Sequence, residues 1–323
     1  MRPRILISRK IFGEALAIVK QHFEVEENLS DTPFSPEVLT RKLQGKAGVI
    51  IRLTDRIDGV LLSHCPGLKI VSNIAVGYNN IDIEVCTRRR IMVTNTPGVL
   101  DDTTADFTWT LLLATARRVV EADQYLRSGN WKGWELMEFL GYDVHHKILG
   151  ICGMGRIGRK VAQRAKGFNM QTLYTDIVPA DLSVEKELGI RFVDKKTLLS
   201  ESDFVTIHVP LLLQTTYYIS KTELNLMKPT AILINTSRGP VIDEKTLAEA
   251  LQEGKIAGAG LDVYENEPEV EPALLHMKNV VLAPHIASAS HETRLRMAMM
   301  AAENLVTGLT GKRPPNLVNE DVL

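Results

Sequence analysis

The sequence predicts an α/β protein built from two doubly wound, parallel-sheet domains, and three observations indicate this fold class. The chain has 323 residues. A domain usually has ~100–200 residues, so two domains are expected, with one large α/β unit as the alternative. Short apolar runs alternate with helical patterns along most of the chain, which is typical of βαβ units. The runs are almost continuously apolar, as expected for strands that helices cover on both faces.

The predicted strands fall into two groups. Four precede residue 100 and six follow residue 146, which indicates a small domain followed by a larger one. In chain order they cover Arg4–Ile7, Gly48–Leu53, Lys69–Ile74, Ile91–Asn95, Lys147–Cys152, Thr172–Thr175, Phe204–His208, Ala231–Asn235, Gly258–Val263 and Val280–Ala283.

Helical patterns lie between and after these strands. The longest runs from Asp101 to Arg127, with apolar residues near helical spacing and an aspartate available as N-cap. Others cover Thr246–Gln252 and Ser290–Leu309, and we expect the last helix to pack on the first domain. The stretch Ser128–Trp134 is rich in turn formers and predicts a loop.

Charge and composition exclude several classes of protein. Lys and Arg number 38 against 39 Asp and Glu, a net charge of −1, which argues against binding to nucleic acid or an anionic membrane. No apolar run has the length of a secretory signal core or of a membrane span. The three cysteines, Cys65, Cys86 and Cys152, fit neither a disulfide framework nor a metal site. We therefore expect no metal and a reducing compartment, the cytoplasm.

A dinucleotide-binding fingerprint follows the first strand of the larger domain. Gly153-Met-Gly155-Arg-Ile-Gly158 joins that strand to a helical stripe. The first glycine makes the tight turn, the second lets a pyrophosphate approach the backbone, and the third allows close helix–strand packing. The N–H groups at the helix start, at Arg156 and Ile157, would then bind the phosphates. The alternative is a glycine-rich turn without a ligand.

Asp176 ends the next strand, about where the fingerprint expects an acid. A carboxylate there hydrogen-bonds the ribose 2′-hydroxyl and repels a 2′-phosphate. The following residues, Ile177, Val178 and Pro179, include no arginine to hold that phosphate. The sequence therefore favours NAD over NADP, and a helix-capping aspartate is the alternative.

Three polar residues, Arg238, Glu267 and His285, follow three of the later strands. The carboxyl ends of parallel strands share one edge of a sheet, so we expect these side chains to meet there. A histidine paired with a carboxylate is an acid–base group near neutral pH, and a guanidinium fork suits a substrate carboxylate. The set predicts reduction of a 2-keto acid, in which NADH gives hydride and the histidine protonates the carbonyl oxygen. Taken singly, each residue could instead be an ordinary surface or core side chain.

Four sequence blocks occur in a specific order and spacing: Gly150–Gly158, Asn235–Gly239, Gly258–Pro268 and Ala283–Ala287. In these blocks, and over nearly its whole length, the chain resembles the D-isomer-specific 2-hydroxyacid dehydrogenase family. The resemblance implies that the three polar residues are the catalytic arginine, glutamate and histidine. It also implies further cofactor contacts at Thr104, Val209, Pro210, Thr215, Thr236 and Asp262.

The resemblance also implies a domain arrangement. A Rossmann cofactor domain, residues 101–289, would be inserted into a flavodoxin-like substrate domain, residues 1–100 and 290–323. In the substrate domain the N–H groups of Val76 and Gly77 would bind the substrate carboxylate, and Leu53 would form a pocket wall. Read without the resemblance, this loop is only a strand exit with a glycine.

Trp131 and Trp134 resemble a tryptophan-bearing loop that glyoxylate and hydroxypyruvate reductases extend into the partner subunit's active site. This implies a homodimer in which Trp134 contacts substrate, and it favours glyoxylate or hydroxypyruvate reduction. An aromatic anchor at the dimer interface, without substrate contact, is the alternative. 2-Ketogluconate reduction and D-3-phosphoglycerate dehydrogenation are alternative activities, and an NAD-binding co-repressor-like scaffold is the alternative without catalysis.

Overall fold

The computed structural model describes residues 2–322, and the chain forms two compact units. One unit comprises the chain up to Leu100 and from Ala289 onward, and the other is Asp101–Ser288. The first and last residues of the predicted substrate domain, 1 and 323, lie outside the described range. Each unit has its own parallel sheet.

The first unit contains a five-stranded parallel sheet. Its strands are β1 (Arg4–Ile7), β2 (Glu24–Glu27), β3 (Gly48–Ile51), β4 (Ile70–Asn73) and β5 (Met92–Thr94). Their order across the sheet is β2-β1-β3-β4-β5, which is the flavodoxin-like order. The helices between them are α1 (Gly13–His22), α2 (Pro36–Leu43), α3 (Gly59–Ser63) and α4 (Ile83–Arg88).

The second unit contains a seven-stranded sheet in which all neighbours are parallel. Its strands are β6 (Ile148–Cys152), β7 (Gln171–Thr175), β8 (Ile190–Phe192), β9 (Phe204–Ile207), β10 (Ile232–Asn235), β11 (Gly258–Leu261) and β12 (Val280–Leu282). The helices are α5 (Asp101–Ala116), α6 (Val119–Arg127), α7 (Arg156–Ala165), α8 (Leu182–Leu188), α9 (Lys195–Glu201), α10 (Lys221–Leu224) and α11 (Glu244–Gln252). The order β12-β11-β10-β9-β6-β7-β8 reverses between β6 and β9, and ligands bind at such switch points. The predicted fold class, with its Rossmann sheet, is confirmed.

The last helix, α12 (His291–Leu309), belongs to the first unit. Ser290 caps its N-terminus by accepting a hydrogen bond from the N–H of Thr293 at 3.2 Å. Ala301 on its buried face shares one apolar cluster with Ile5 of β1, so the expected packing of this helix on the first domain is confirmed. Neither α12 nor any other helix within residues 2–322 is long and apolar enough to cross a membrane.

Two edge strands of the structure, β2 and β8, are not among the strands predicted from the sequence. An edge strand pairs on one side only, so it does not need the continuous apolar run that marks a central strand. β2 reads Glu-Val-Glu-Glu, and its Glu26 accepts hydrogen bonds from Lys42 and Lys46, both at 2.6 Å. These hydrogen bonds lower the pKa of Glu26 to about 2. β8 has only three residues, of which only Ile190 is buried.

The single helix predicted over Asp101–Arg127 is wrong, because the structure has two helices there, α5 and α6. Arg118, between them, has a left-handed backbone with φ +52°. The N–H of Tyr142 donates to the carbonyl of Ala116 at 2.8 Å and so satisfies an orphan carbonyl at the end of α5. The Arg118 side chain donates to Glu121 at 2.9 Å, which fixes the start of α6. Apolar spacing continues through the break, so periodicity alone does not reveal it.

The three cysteines are buried and unpaired. Burial raises the pKa of Cys86 and of Cys152 to about 12, and it also raises the pKa of Cys65. Because the thiolate is the reactive form, the raised pKa values disfavour reaction of these thiols at neutral pH.

Candidate active site

The glycine-rich turn follows β6 at the switch point of the second sheet. Gly153 has φ +96°, and a Cβ there would meet the backbone of His208 and Val209, each at 2.8 Å. A Cβ on Gly158 would overlap the carbonyl oxygen of Gly153. Turn geometry and helix–strand packing therefore require glycine at both positions, as the fingerprint predicts.

Gly155 differs from the other two glycines, because a Cβ built there meets no atom within 4 Å. This open space lies at the N-terminus of α7, where Gly155 is the N-cap and Arg156 and Ile157 are the first helical residues. N–H groups in a first helical turn have no intrahelical acceptor, and the helix dipole favours an anion there. The turn therefore fits the pyrophosphate of a dinucleotide. The side chain of Arg156 forms an ion pair with Asp101 at 3.3 Å.

Asp176 follows β7 and contacts the glycine-rich turn directly. Its Oδ2 accepts a hydrogen bond from the N–H of Met154, and its Oδ1 accepts one from the N–H of Ile177, both at 2.7 Å. The next helix is preceded by Asp181 as its N-cap residue, so Asp176 is not a helix cap. Ile177 and Val178 are exposed apolar side chains, and neither offers a cation for a 2′-phosphate.

Two of the predicted cofactor residues, Thr104 and Thr236, are connected through a third threonine. The hydroxyl oxygens of Thr236 and Thr108 lie 2.9 Å apart, and Thr108 also lies 2.9 Å from the carbonyl oxygen of Thr104. All three residues are buried. Thr108 is not among the residues predicted from the sequence, although its position one helical turn after Thr104 is a usable signal.

The loop after β9 carries the predicted cofactor residues Val209, Pro210 and Thr215. The hydroxyl of Thr215 donates to the carbonyl of Pro210 at 2.5 Å and accepts from the N–H of Leu212 at 2.8 Å. Thr215 thus holds together the two ends of the segment from Pro210 to Thr215. Val209 lies against Gly153, so the loop is adjacent to the pyrophosphate turn.

His285 and Glu267 form a hydrogen-bonded pair, with 2.8 Å between Nδ1 and Oε2. Each side chain is 29% exposed, so the pair is accessible to a small molecule. Burial alone would raise the pKa of Glu267. The hydrogen bond and charge of His285, the N–H of Tyr264 and the charge of Arg238 together hold that pKa below its usual value. Glu267 is therefore ionised at neutral pH, and its hydrogen bond makes Nδ1 the protonated nitrogen of the neutral imidazole.

Asp262 fixes the backbone of the segment that carries His285. Its carboxylate accepts hydrogen bonds from the N–H groups of Ile286 at 2.7 Å and Ala287 at 2.8 Å, and its carbonyl accepts from the N–H of His285 at 2.9 Å. Burial raises the pKa of Asp262, and the charge of Glu267 raises it further. The two hydrogen bonds to the carboxylate and the charge of His285 lower it, but they do not cancel the rise. Asp262 thus holds His285 in place, whereas the resemblance implies a cofactor contact for it.

Arg238 lies in the turn after β10, which Asn235 shapes. The Asn235 side chain accepts from the N–H of Ser237 at 3.0 Å and donates to the carbonyl of Arg238 at 2.9 Å. The Arg238 guanidinium donates to the carbonyl of Ser237 at 2.6 Å. Burial lowers the pKa of Arg238, which the charge of Glu267 opposes. The structure therefore brings arginine, glutamate and histidine into one electrostatic cluster. Asn235 is missed by sequence analysis, although asparagine before a turn often bonds the following backbone.

In the first unit, two asparagines hold the predicted substrate loop. The Asn95 amide donates to the carbonyl of Val76 at 2.8 Å, and the buried Asn73 amide donates to the carbonyl of Gly77 at 3.0 Å. These bonds fix the peptide planes of the loop. Leu53 lies in a separate turn after β3, where it lines an open cavity of about 400 Å³.

Trp134 lies on an apolar surface formed by residues 119–142. Its side chain is 80% exposed, and Leu126, Trp131, Leu136 and Met137 are also exposed. Every residue of α6 is at least partly exposed. An exposed apolar surface of this kind is typical of a binding surface.

Comparison with known proteins identifies relatives of the whole chain. The family model for the D-isomer specific 2-hydroxyacid dehydrogenase NAD binding domain matches residues 109–287. A glyoxylate reductase from Korarchaeum cryptofilum is 52% identical over 325 residues, which cover 100% of this chain and 98% of that protein. A glyoxylate reductase from Thermococcus litoralis is 50% identical over 329 residues, with 100% and 98% covered.

Solved structures resemble the chain over almost its full length. A protein from Thermus thermophilus is 41% identical, with a TM-score of 0.91 and 98% of this chain and 99% of that chain covered. An NADPH-dependent glyoxylate/hydroxypyruvate reductase from Sinorhizobium meliloti is 33% identical, with a TM-score of 0.87 and 99% of each chain covered. Similar structures thus include an enzyme that depends on NADPH.

Proposed function

Because the chain belongs to the D-isomer specific 2-hydroxyacid dehydrogenase family, we propose that it reduces a small 2-keto acid, glyoxylate or hydroxypyruvate. The product is the 2-hydroxy acid, of D configuration where it is chiral. The observation that carries the proposal is the His285–Glu267 pair, 2.8 Å apart, on a sheet whose switch point fits a dinucleotide. Relatives 52% and 50% identical bear the name glyoxylate reductase, which supports this substrate class.

In the proposed mechanism, acid–base catalysis is the task of His285. With Nδ1 bonded to Glu267, Nε2 is the nitrogen that donates a proton to the carbonyl oxygen during reduction. Glu267 stabilises the imidazolium before the proton is transferred. When bound, the nicotinamide cofactor supplies the hydride for the carbonyl carbon.

We assign substrate orientation to Arg238. Its planar guanidinium can bind the carboxylate and polarise the neighbouring carbonyl. The backbone N–H groups of Val76 and Gly77 are the proposed second anchor for the carboxylate, and Leu53 the proposed apolar wall.

The chain uses a nicotinamide cofactor, and we assign its pyrophosphate to the glycine-rich turn. The backbone of Gly153, Gly155, Gly158, Arg156 and Ile157 would hold the phosphates, with Asp176 on the adenosine ribose. The predicted contacts at Thr104, Val209, Pro210, Thr215, Thr236 and Asp262 are kept as part of this proposal. For Thr104 and Thr215, the hydrogen bonds described above support a role in shaping the site.

The proposed function is tested by following NADH and NADPH absorbance with a panel of 2-keto acids. Glyoxylate, hydroxypyruvate, 2-ketogluconate and 3-phosphohydroxypyruvate cover the predicted substrates and their alternatives. We expect the highest kcat/KM with glyoxylate or hydroxypyruvate. Absence of turnover across the panel would refute the function, and a clear preference for either other acid would establish that alternative. The intact acid–base pair argues against a non-catalytic scaffold.

We propose that NADH is the preferred cofactor, on the basis of Asp176. Replacing Asp176 with alanine removes the ribose acceptor and the charge that repels a 2′-phosphate. The ratio of kcat/KM for NADH to that for NADPH should therefore fall about ten- to hundredfold, the equivalent of one charge-assisted hydrogen bond. The measurement is steady-state kinetics with each cofactor.

Two controls separate cofactor choice from damage to the turn. Asp176→Asn retains an oxygen that can accept from the Met154 N–H but removes the charge, so it should also shift the ratio. Asp181→Ala, at the neighbouring N-cap, should not. An unchanged ratio in both Asp176 variants would show that the acid does not select the cofactor.

We further propose a homodimer that covers the apolar surface of residues 119–142, with Trp134 reaching the substrate of the partner. Trp134→Ala should raise KM for the 2-keto acid severalfold and leave NADH binding unchanged. The variant's mass in solution, measured by light scattering, shows whether the dimer persists. Trp131→Ala on the same loop is the matched control. An unaltered KM in a dimeric Trp134→Ala variant would leave this residue a purely interfacial role.

We propose a cytoplasmic location, supported by the three buried, unpaired cysteines. Proteins of oxidising compartments more often pair their cysteines. Recovery of the protein outside the cytoplasm on cell fractionation would contradict this assignment.

A further inference from the structure

We propose that Glu244 is a positioning residue for the acid–base pair. Its buried carboxylate holds both arms of the turn that presents Glu267 to His285. The inference rests on the proposed function, because it adds a residue to the proton-transfer machinery of that reaction. Glu244 itself touches neither His285 nor a reacting atom in this role.

Glu244 is the first residue of α11, and it is only 6% exposed. One carboxylate oxygen accepts a hydrogen bond from the N–H of Glu265, and the other accepts from the N–H of Glu271 at 3.3 Å. The helix does not need this acid as a cap, because Asp243 already accepts from the N–H of Thr246 at 3.0 Å. The carboxylate of Glu244 is therefore directed to the loop and not to its own helix.

The two N–H groups that Glu244 binds lie on opposite sides of Glu267 along the chain. Between them, the N–H of Glu269 donates to the carbonyl of Asn266 at 3.0 Å, which closes a tight turn. Glu267 lies within this turn, with one oxygen on the N–H of Tyr264 at 3.2 Å and the other on His285 at 2.8 Å. Holding the two arms of the turn therefore sets the distance between Glu267 and the imidazole.

The segment from Arg238 to Glu244 also connects this turn to the arginine. Gly239, directly after Arg238, packs so closely on Tyr264 and Glu265 that a Cβ would overlap their backbone. One end of the segment thus carries the guanidinium, and the other end holds the loop that carries the glutamate. Glu244 consequently links the positions of two side chains of the proposed active site.

The charge of Glu244 needs an explanation, since its surroundings do not favour it. Burial raises the pKa of Glu244, the two N–H donors offset part of the rise, and the charges of Glu265 and Glu271 add to it. A glutamine would fill the same volume without the charge, but its NH₂ group would face one of the two N–H donors. Only a carboxylate can accept on both arms, so the geometry accounts for the acid.

The test is Glu244→Gln in the full-length protein. One arm of the turn should be released, and kcat/KM for the 2-keto acid should fall about ten- to hundredfold, the equivalent of one hydrogen bond to a charged group. The loss should lie mainly in kcat, with the NADH Kd unchanged in a fluorescence titration. The alkaline limb of the kcat/KM profile for reduction should move to lower pH, because the imidazolium loses a well-placed carboxylate.

Asp243→Ala is the matched control, since it removes the side-chain cap of the same helix without touching the turn. It should lower Tm and leave the pH profile at that of the parent. If Glu244→Gln lowers Tm equally but keeps the parental kcat and pH profile, Glu244 is a structural residue only and the proposal is wrong. If Glu244→Gln does not fold, Glu244→Asp is the second variant. It keeps the charge but has a shorter side chain, and the alkaline limb of its kcat/KM profile should also move to lower pH.

Failure of the proposed function is distinguishable from failure of this inference. A parent protein that reduces no 2-keto acid refutes the function. In that case hydrogen exchange still measures whether Glu244 holds the two arms of the turn: the amides of Glu265 and Glu271 should exchange faster in Glu244→Gln than in Asp243→Ala. Equal exchange in the two variants would overturn the proposed positioning role of Glu244.

Discussion

Replacing His285 with alanine is expected to lower kcat for 2-keto acid reduction by about 10²- to 10⁴-fold, the range for loss of a general acid. NADH binding should be nearly unchanged, since the glycine-rich turn and Asp176 lie at other strands. The Asp262 carbonyl accepts from the main-chain N–H of residue 285 at 2.9 Å. Alanine retains that bond, so the effect should arise from loss of the imidazole and not from a displaced loop.

The measurements are steady-state turnover and a fluorescence titration with NADH. His276→Ala is the matched control. His276 is exposed and lies shortly before β12, whereas His285 lies just after the same strand. The control variant should behave as the parent. Turnover of His285→Ala within severalfold of the parent would show that the proton comes from another group.

Replacing Arg238 with lysine should be the second most damaging change. Lysine keeps the positive charge but lacks the planar fork that binds a carboxylate through two parallel hydrogen bonds. We expect kcat/KM to fall about 10²- to 10³-fold, the range for removal of one donor that stabilises charge in the transition state. Both a higher KM and a lower kcat should contribute, because Arg238 is assigned to binding and to polarisation of the carbonyl.

Arg191→Lys is the control for this exchange, since Arg191 pairs with Glu201 at 3.4 Å on an exposed surface. It should leave kcat/KM unchanged. An Arg238→Lys variant as active as Arg191→Lys would remove Arg238 from the proposed mechanism, and the substrate carboxylate would then need another partner.

The sequence predicts the parts of the fold that are set by local pattern. Central strands such as β6 and β10 are continuously apolar because helices cover both faces, and the glycine fingerprint has one physical solution at a strand–helix turn. The positions of Arg238, Glu267 and His285 follow from the rule that parallel strands end at one edge. Their mutual approach was therefore predictable without coordinates.

The rest depends on contacts between residues distant in sequence, and local pattern does not contain these. At the break between α5 and α6, the hydrogen bond to the end of α5 comes from Tyr142, 24 residues after Arg118. The hydroxyl contact of Thr108 with Thr236 joins residues 128 positions apart in the chain. Glu244 stands in an amphipathic helix, where an acid in the first turn is ordinary. Only the structure shows that its carboxylate faces a loop 21 residues away.

The acidic strand β2 disfavours one route by which copies of the chain could associate. An edge strand offers unpaired N–H and C=O groups, to which a strand of another molecule can add. On β2, Glu24, Glu26 and Glu27 occupy three of four positions, and each forms an ion pair with a lysine or arginine of the same chain. Charged side chains along an edge strand oppose the addition of another strand, so intermolecular strand addition, an early step of ordered aggregation, is disfavoured at this edge.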